Sequence, residues 1–280
     1  MYSYYMVTGC IKAERIVSCP KDRTSTNPSL CPDRGGATFL RVAPVCLGRF
    51  AAMGILTDIK DRLNQEKVTR ETDAGMEKAE GVTRLFFATD VHGSTACWRK
   101  FVNAAEFYSA DVLILGGDTT GKAIFPIIEE NGVYSYTRNE EDRTAETEAE
   151  LEEVKDSVED AGFYPYVMSR EEYEDLQTAD DADERHDEIF EAQMKSRIEK
   201  WGEFAADRLP EDVPLYVSPG NDDPFSIDET WESVDRARLV ESEVVEIGEE
   251  YEMASTGWSN RTPWDTAREE DEDDLRGRLE

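Results

Sequence analysis

Short apolar runs that end in small, polar turns recur along the chain. Residues 84–89, 111–115 and 213–217 are apolar runs of strand length, each followed by a turn rich in glycine and aspartate. Between the first two runs, apolar residues recur at helical spacing from Trp98 to Tyr108, which predicts an amphipathic helix. A strand, a helix and a strand within about 30 residues predict a right-handed crossover between parallel strands. We therefore expect an α/β fold in which a central mixed sheet is flanked by helices.

The remaining pattern predicts two hairpins and an acidic helical region. Residues 123–136 predict a hairpin with Asn131 and Gly132 at its turn, and residues 244–256 a second hairpin around Gly248. Residues 140–160 are an acidic helical stretch, residues 171–188 are the most acidic run, and a longer amphipathic helix follows over 189–209. We therefore expect an acidic helical insert over about 140–210.

The first part of the chain differs from the rest in composition. Residues 1–52 carry a net charge of +4, whereas the remainder carries −36. No helical or strand period is sustained there, and Met53 is a natural alternative start. We expect residues 1–52 to be a poorly ordered extension, for which the choice of too early a start codon is one explanation. We expect residues 53–82 to be a helix and linker, and residues 83–280 to be the main domain.

Cysteine usage favours a reducing compartment. The odd number of cysteines argues against a disulfide framework, and their spacing matches no C-x-x-C zinc pattern. We expect reduced thiols and a cytoplasmic location. The alternative is a small metal-binding module built on the cysteines of the first part, which are Cys10, Cys19, Cys31 and Cys46.

The charge of the whole chain narrows the range of partners. A net charge of −32 repels the phosphates of nucleic acids and of anionic membranes, so we expect neither as a partner. We interpret the excess of negative charge as an acidic coat that keeps the protein hydrated in a salt-accumulating cytoplasm. The alternative interpretation is that the charge binds a basic partner. The sequence has no apolar run of the roughly 20 residues that a membrane-spanning helix needs. We expect no secretory signal, because residues 1–52 lack a continuous apolar region followed by a small-residue cleavage site.

Candidate metal ligands follow all three predicted strands. The turns read Asp90-Val91-His92-Gly93, Gly116-Gly117-Asp118 and Gly220-Asn221-Asp222-Asp223. Because the carboxyl ends of parallel strands lie side by side, these turns should meet at one edge of the sheet. Carboxylate, imidazole and amide ligands together suit Mn, Fe, Zn or Co better than a calcium cage. Two such ions can hold a phosphoryl group and activate water for hydrolysis.

The order D-x-H, G-G-D and G-N-D resembles that of the calcineurin-like metallophosphoesterases over residues 83–280. The resemblance implies a layered fold and a metal-dependent hydrolase of phosphomonoesters or phosphodiesters, with a small molecule or nucleotide as substrate. It implies that Asp90 and His92 bind the first of two divalent ions (Mn, Fe, Zn, Co or Mg), that Asp118 bridges both and that Asn221 binds the second. Asp222 stands where many members have a histidine that assists the leaving group, a role that an aspartate fills only with a raised pKa.

The sequence departs from that family in its histidines. His92 and His186 are the only two in the chain, and His186 precedes Asn221, so the family's later lone His and G-H-x-H are missing. We expect a C-terminal truncation, with the second metal site short of ligands. A scaffold that keeps the fold without activity, and uses its acidic residues 140–188 for partner contact, is therefore an alternative.

Each candidate site residue also has a purely structural interpretation. Asp90, His92 and Asp118 could belong to plain turns, Asn221 and Asp222 to a helix N-cap, and His186 to a solvated helix face. Asp223, before Pro224, suits a turn and receives no catalytic role. Packing against the core is the favoured interpretation of Trp258, Pro263 and Trp264, over the lining of a cleft.

A P-loop is the second functional alternative. The segment from Gly116 to Lys122 fits G-x-x-x-x-G-K after a strand, as in nucleotide-binding NTPases. However, Ala123 lacks the hydroxyl that such a loop uses to bind Mg²⁺, and a hairpin is predicted where the helix should begin. We therefore disfavour it.

Overall fold

The centre of the protein is a sheet of four parallel strands. A computed structural model describes residues 2–7, 83–248 and 251–279. The sheet has the order β2-β3-β8-β9, and its strands are β2 (Leu85–Ala88), β3 (Val112–Gly116), β8 (Leu215–Ser218) and β9 (Ala237–Leu239). All three of its strand pairs are parallel. The three strands predicted from apolar runs are confirmed as neighbours.

Alternate residues of these strands enter two different cores, as the two-residue period of a strand requires. Leu113 and Leu115 face a core that includes helices α1 (Thr95–Phe107), α4 (Ala182–Arg208) and α5 (Asp228–Glu232). Two tryptophans join α1 to α4, since the rings of Trp98 and Trp201 stack with centroids 4.9 Å apart. The helix predicted over Trp98 to Tyr108 is thereby confirmed.

The opposite face of the parallel sheet is covered by a second sheet. Val112 and Ile114 pack there against strands β10 (Val244–Ile247) and β11 (Tyr251–Thr256), which pair antiparallel as predicted. Strand β1 (Tyr2–Val7) pairs parallel with β11, although no strand was predicted in residues 1–52. The other residues of 1–82 for which an extension, a helix and a linker were predicted lie outside the described residues.

A third, mixed sheet lies within the region after Lys122. It has the order β6-β5-β4-β7, with strands β4 (Ile124–Glu130), β5 (Val133–Arg138), β6 (Glu141–Ala145) and β7 (Tyr164–Ser169). The predicted hairpin is confirmed: β4 and β5 are antiparallel, and Asn131 and Gly132 have φ of 54° and 82° at the turn. Strand β7 runs parallel to β4 and was not predicted.

The acidic region is less helical than its pattern indicates. A helix was predicted over 140–160, but residues 141–145 form β6, because Asn139 and Glu140 at φ of 53° and 65° turn the chain back onto β5. Helix α2 (Glu148–Asp160) begins only after Thr147, whose side chain accepts a hydrogen bond from Glu150 N. Helix α3 (Arg170–Thr178) follows β7, and α4 begins at Ala182, earlier than the predicted residue 189.

The chain beyond β11 forms small elements near the carboxyl edge of the parallel sheet. These are β12 (Ser259–Asn260), which pairs with β13 (Glu269–Glu270), and helix α6 (Glu272–Leu279). Overall the architecture is α/β with mixed sheets flanked by helices, as predicted, except that the central sheet itself is parallel. None of the helices in the described part of the chain is both long and apolar enough to cross a bilayer.

Candidate metal centre

Backbone hydrogen bonds join the loops that follow β2 and β3. Asp90 N donates to Gly117 O at 3.0 Å, and His92 N donates to Asp118 O at 2.9 Å. The loop after β8 joins them through Asp222 N, which donates to Asp118 Oδ1 at 3.3 Å. The predicted convergence of the three turns at one sheet edge is therefore confirmed, and it depends on the parallel order of the strands.

Three candidate ligands at this edge come from residues in the left-handed region. Asp90, His92 and Asp118 have φ of 57°, 42° and 51°. Non-glycine residues adopt this region at a cost of about 1 kcal/mol or more, and they do so most often at functional sites. A plain turn after a strand does not need three such residues side by side.

The position before Asn221 must be a glycine because the backbone there lies very close to Asp118. A Cβ on Gly220 would lie 2.1 Å from Asp118 Oδ1 and 2.2 Å from Asp118 N. Any larger residue would therefore push the third loop away from Asp118. Gly220 is needed because the backbone of the third loop lies directly on the carboxylate.

The side chains of Asp90, His92 and Asp118 form a cluster that suits a cation. Each offers a ligand atom, and these atoms all lie within 4.8 Å of one another. His92 Nε2 lies 3.7 Å from Asp90 Oδ1, and Thr89 Oγ1 donates a hydrogen bond to the other oxygen of Asp90. His92 Nδ1 is buried and has no hydrogen-bond partner among the described residues. Two carboxylates and an imidazole fit Mn²⁺, Fe²⁺ or Zn²⁺, so the residues present fit a metal ion.

The electrostatic surroundings of Asp118 are consistent with a cation bound at this cluster. Burial, followed by the negative charges of Asp223 and Asp90, raises the pKa of Asp118 to about 6. His92 and the Asp222 backbone N–H oppose the shift. A cation beside Asp118 would remove the penalty that the carboxylate incurs when it is ionised.

Asn221 lies between Gly220 and Asp222, both of which touch Asp118. Its side-chain Nδ2 donates to Thr266 Oγ1 at 2.8 Å, and its backbone oxygen accepts from Arg268 N at 3.2 Å. The segment between β12 and β13 therefore fixes both the side chain and the backbone of Asn221.

Asp222 makes a contact that the sequence did not predict. Its Oδ2 lies 3.0 Å from Lys122 Nζ, and both side chains line an open cleft of about 480 Å³. The cleft is completed by residues of the second and third loops and of α4, namely Thr120, Gly121, Asp187, Phe190, Glu191, Met194, Pro224 and Ser226. The general-acid role of Asp222 stays a prediction, since the ion pair offers an ammonium as well as a carboxylate to a bound group.

Asp223 is the functional residue that sequence reasoning missed. It is fully buried, and its carboxylate accepts hydrogen bonds from Thr119 N, Thr120 N and Gly220 N at 2.8–3.0 Å. The Thr120 hydroxyl donates to it as well. Asp223 therefore locks the second loop to the third. The only sequence signal for this role is the position of Asp223 directly after Gly-Asn-Asp. The residues that donate to it from the second loop lie about a hundred residues earlier in the chain, so no local pattern records the contact.

The same hydrogen bonds argue against a P-loop. The N–H groups of Thr119 and Thr120 are occupied by Asp223, and Gly121 N donates to Tyr164 Oη at 2.8 Å. Strand β4 rather than a helix follows Lys122. Three amides of this loop are therefore already occupied, and the helix N-terminus with which a P-loop holds phosphate is replaced by a strand.

A buried arginine braces the first loop from behind. Arg197 on α4 donates to Gly93 O at 2.5 Å and to Phe163 O at 3.2 Å, and it lies 3.4 Å from Glu159. Its guanidinium is also 4.9 Å from the centre of the Tyr164 ring. The region 140–210, expected as an insert, thus supports the candidate centre directly.

Other singled-out residues lie away from the cluster. His186 is an exposed residue of α4, as predicted. Trp258 contacts Phe225 and the Arg278 guanidinium. Trp264 is 77% exposed, so its predicted packing against the core is wrong; the turn after Thr262 directs it outward.

Comparison of the chain with protein-family models, with curated proteins and with solved structures finds no match. The assignment of a function therefore depends on the residues of the candidate centre themselves.

Proposed function

We propose that this protein is a metal-dependent hydrolase of phosphomonoesters or phosphodiesters, of the calcineurin-like metallophosphoesterase type. The observation that supports it best is the cluster of Asp90, His92 and Asp118, whose ligand atoms lie within 4.8 Å of one another. The buried, unpartnered His92 Nδ1 is a second argument, because an orphaned buried polar atom is costly without a ligand. The order of the three loops adds the resemblance described above.

In this proposal two divalent cations bind at the sheet edge, where they activate a water molecule and offset the charge of the phosphoryl group. Asp90 and His92 hold the first, Asp118 lies between the two, and Asn221 contributes an amide oxygen to the second. Asp118 is suited to the central role because two loops reach it, through the backbone N–H groups of His92 and Asp222 on its two sides.

The second cation has fewer ligands from this chain than the first. With His92 committed to the first site and His186 exposed on α4, no further histidine is present in the sequence. We therefore expect weaker binding at the second site and slow hydrolysis.

The leaving group of the substrate would occupy the cleft beside Asp222. Lys122 and Asp222 line its mouth as an ion pair, and Phe190 and Met194 supply apolar surface from α4. The Lys122 ammonium, which carries the proton of the ion pair, would give it to the leaving oxygen, and the Asp222 carboxylate would orient Lys122 for that transfer. These roles depend on the phosphoester group of the substrate and do not require that the substrate is a nucleotide.

A direct test uses purified protein, Mn²⁺ and bis(p-nitrophenyl) phosphate, with and without a chelator. We expect release of nitrophenol that the chelator abolishes and that Asp118→Asn reduces by at least about a hundredfold, since the central carboxylate is lost. Lys122→Ala should retain measurable activity, whereas it would abolish the activity of a P-loop NTPase. Equal rates with and without chelator would instead favour the non-catalytic scaffold with its acidic face over 140–188.

A further inference from the structure

The side chain of Asn221 is held by a chain of two hydrogen bonds that ends at a carboxylate. Asn221 Nδ2 donates to Thr266 Oγ1 at 2.8 Å, and Thr266 Oγ1 donates to Glu269 Oε1 at 2.5 Å. Glu269 also accepts from Thr262 Oγ1 at 2.5 Å and from Thr262 N at 2.7 Å. None of these three residues belongs to the metal-ligand motifs in the sequence.

Counting protons fixes the direction of each hydrogen bond. A carboxylate only accepts, and a threonine hydroxyl has a single proton to donate. The hydrogen bonds from Thr262, followed by that from Thr266, lower the pKa of Glu269 to about 2, so the group is a carboxylate at neutral pH. Because Thr266 gives its proton to Glu269, its oxygen can only accept from Asn221.

This direction decides which end of the Asn221 amide contacts Thr266. The amide has a donor end, Nδ2, and an acceptor end, Oδ1. Only the donor end can bind an oxygen whose proton is already used. The acceptor end, which is the end that can ligate a cation, is not used by Thr266 and stays available to a cation.

The surrounding backbone makes the arrangement rigid. Arg268, which lies between Thr266 and Glu269 in sequence, is 1% exposed and donates through its backbone to Asn221 O. Its side chain donates to Asp228 Oδ1 at 2.6 Å and to Asp223 O at 3.2 Å. The segment that carries Thr266 and Glu269 is therefore fixed to the third loop at Asn221 and at Asp223.

We propose that Glu269, acting through Thr266, is a positioning residue that makes Asn221 present its carbonyl oxygen rather than its amino group to a divalent cation. This inference rests on the proposed function, since it assumes that a cation binds beside Asn221. Its effect is on metal affinity and not on the chemistry of the substrate.

The test is a calorimetric titration of the full chain with Mn²⁺, comparing Asn221→Ala, Thr266→Val, Thr266→Ser and Glu269→Gln with the wild type. Thr266→Val keeps the shape of the side chain and removes the hydroxyl. Glu269→Gln places a donor against Thr266, which frees the hydroxyl proton and lets Asn221 bind by either end. We expect both to weaken the weaker Mn²⁺ site by about 10–100-fold, the usual effect of losing an outer partner of a ligand, and to leave the tighter site unchanged. Thr266→Ser should restore wild-type affinity.

Thr137→Val is the matched control, because Thr137 Oγ1 makes a similar hydrogen bond to Asp142 at 2.8 Å on the exposed β5–β6 hairpin. It should change neither site. If Thr266→Val fails to fold, Glu269→Gln alone gives the same comparison, since Glu269 is only half-buried.

The outcomes separate this inference from the proposed function. Wild-type affinity in both Thr266→Val and Glu269→Gln, with one site lost in Asn221→Ala, would overturn the positioning role and leave the hydrolase proposal intact. Wild-type affinity in Asn221→Ala, or a single Mn²⁺ site in the wild type, would overturn the positioning role as well. A wild-type protein that binds no Mn²⁺ would overturn both.

Discussion

Asp223→Asn should be among the more damaging single-atom changes in the protein, although Asp223 contacts no proposed ligand side chain of the first loop. The carboxylate is fully buried and accepts from three backbone N–H groups and one hydroxyl. An asparagine must place its NH₂ where one oxygen now stands. The less damaging orientation faces the NH₂ toward Gly220 N, which breaks that hydrogen bond and one branch of the bond from Thr119 N, and leaves the buried Gly220 N–H without a partner.

The magnitude follows from these contacts. Losing a hydrogen bond to a charged acceptor costs about 1.5–3 kcal/mol, and the remaining bonds weaken when the acceptor becomes neutral. Removal of the Asp223 charge also relieves its repulsion of Asp118, whose pKa it raises, which offsets part of the loss. We expect the free energy of unfolding to fall by about 2–3 kcal/mol.

Asp222→Asn is the matched control for this prediction. The neighbouring carboxylate is 32% exposed and its partner Lys122 is 64% exposed, so the ion pair is worth at most about 1 kcal/mol. Urea denaturation of both variants and the wild type, in the same buffer and without added metal, gives the comparison. A loss below about 0.5 kcal/mol in Asp223→Asn, or an equal loss in both variants, would refute the view that Asp223 locks the two loops together.

Four further predictions concern the loops around Asp118. The affinity for Mn²⁺ should be nearly constant above pH 6 and fall about tenfold per pH unit below it, because protons compete for Asp118; a profile that is flat to pH 4.5 would contradict this. Without metal, the free energy of unfolding should depend on pH in the opposite direction. The stabilising contribution of Asp118 is fully present below pH 3.8 and is lost as the pH rises through about 6, which thermal denaturation in the presence of a chelator would detect. Gly220→Ala should weaken Mn²⁺ binding by more than about tenfold, since the added Cβ overlaps Asp118, whereas Gly277→Ala, with no atom within 4 Å of the added Cβ, should not reduce it. Arg197→Lys should destabilise the protein by about 1–3 kcal/mol in urea, because an ammonium cannot bridge Gly93 O and Phe163 O as the guanidinium does.

The loops that carry the candidate centre could be predicted because local signals determine them. An apolar run such as 111–115 has the length of a strand and is short for a helix, and Gly-Gly-Asp after it favours a turn. Once the strands are parallel, the geometry of the sheet brings their turns together. Asp90, His92 and Asp118 were therefore predicted to meet from strand order alone.

The residues that hold those loops in place could not be predicted in the same way. Asp223 and Arg197 act on partners about a hundred residues away in sequence, and no local period records such contacts. Strand β6 was predicted as helix because Glu141–Ala145 is rich in charge, yet its pairing with β5 depends on a turn at Asn139 and Glu140. Trp264 was assigned to the core by residue type, whereas the surrounding turn exposes it.

The central claim is that Asp90, His92 and Asp118 share a divalent cation. A crystal grown with MnCl₂ and measured at a wavelength sensitive to manganese tests it most directly. The account predicts an anomalous peak within about 2.0–2.3 Å of a ligand atom from each of the three side chains. Manganese bound only along the acidic residues of α3 and α4, with no peak at this cluster, would contradict it.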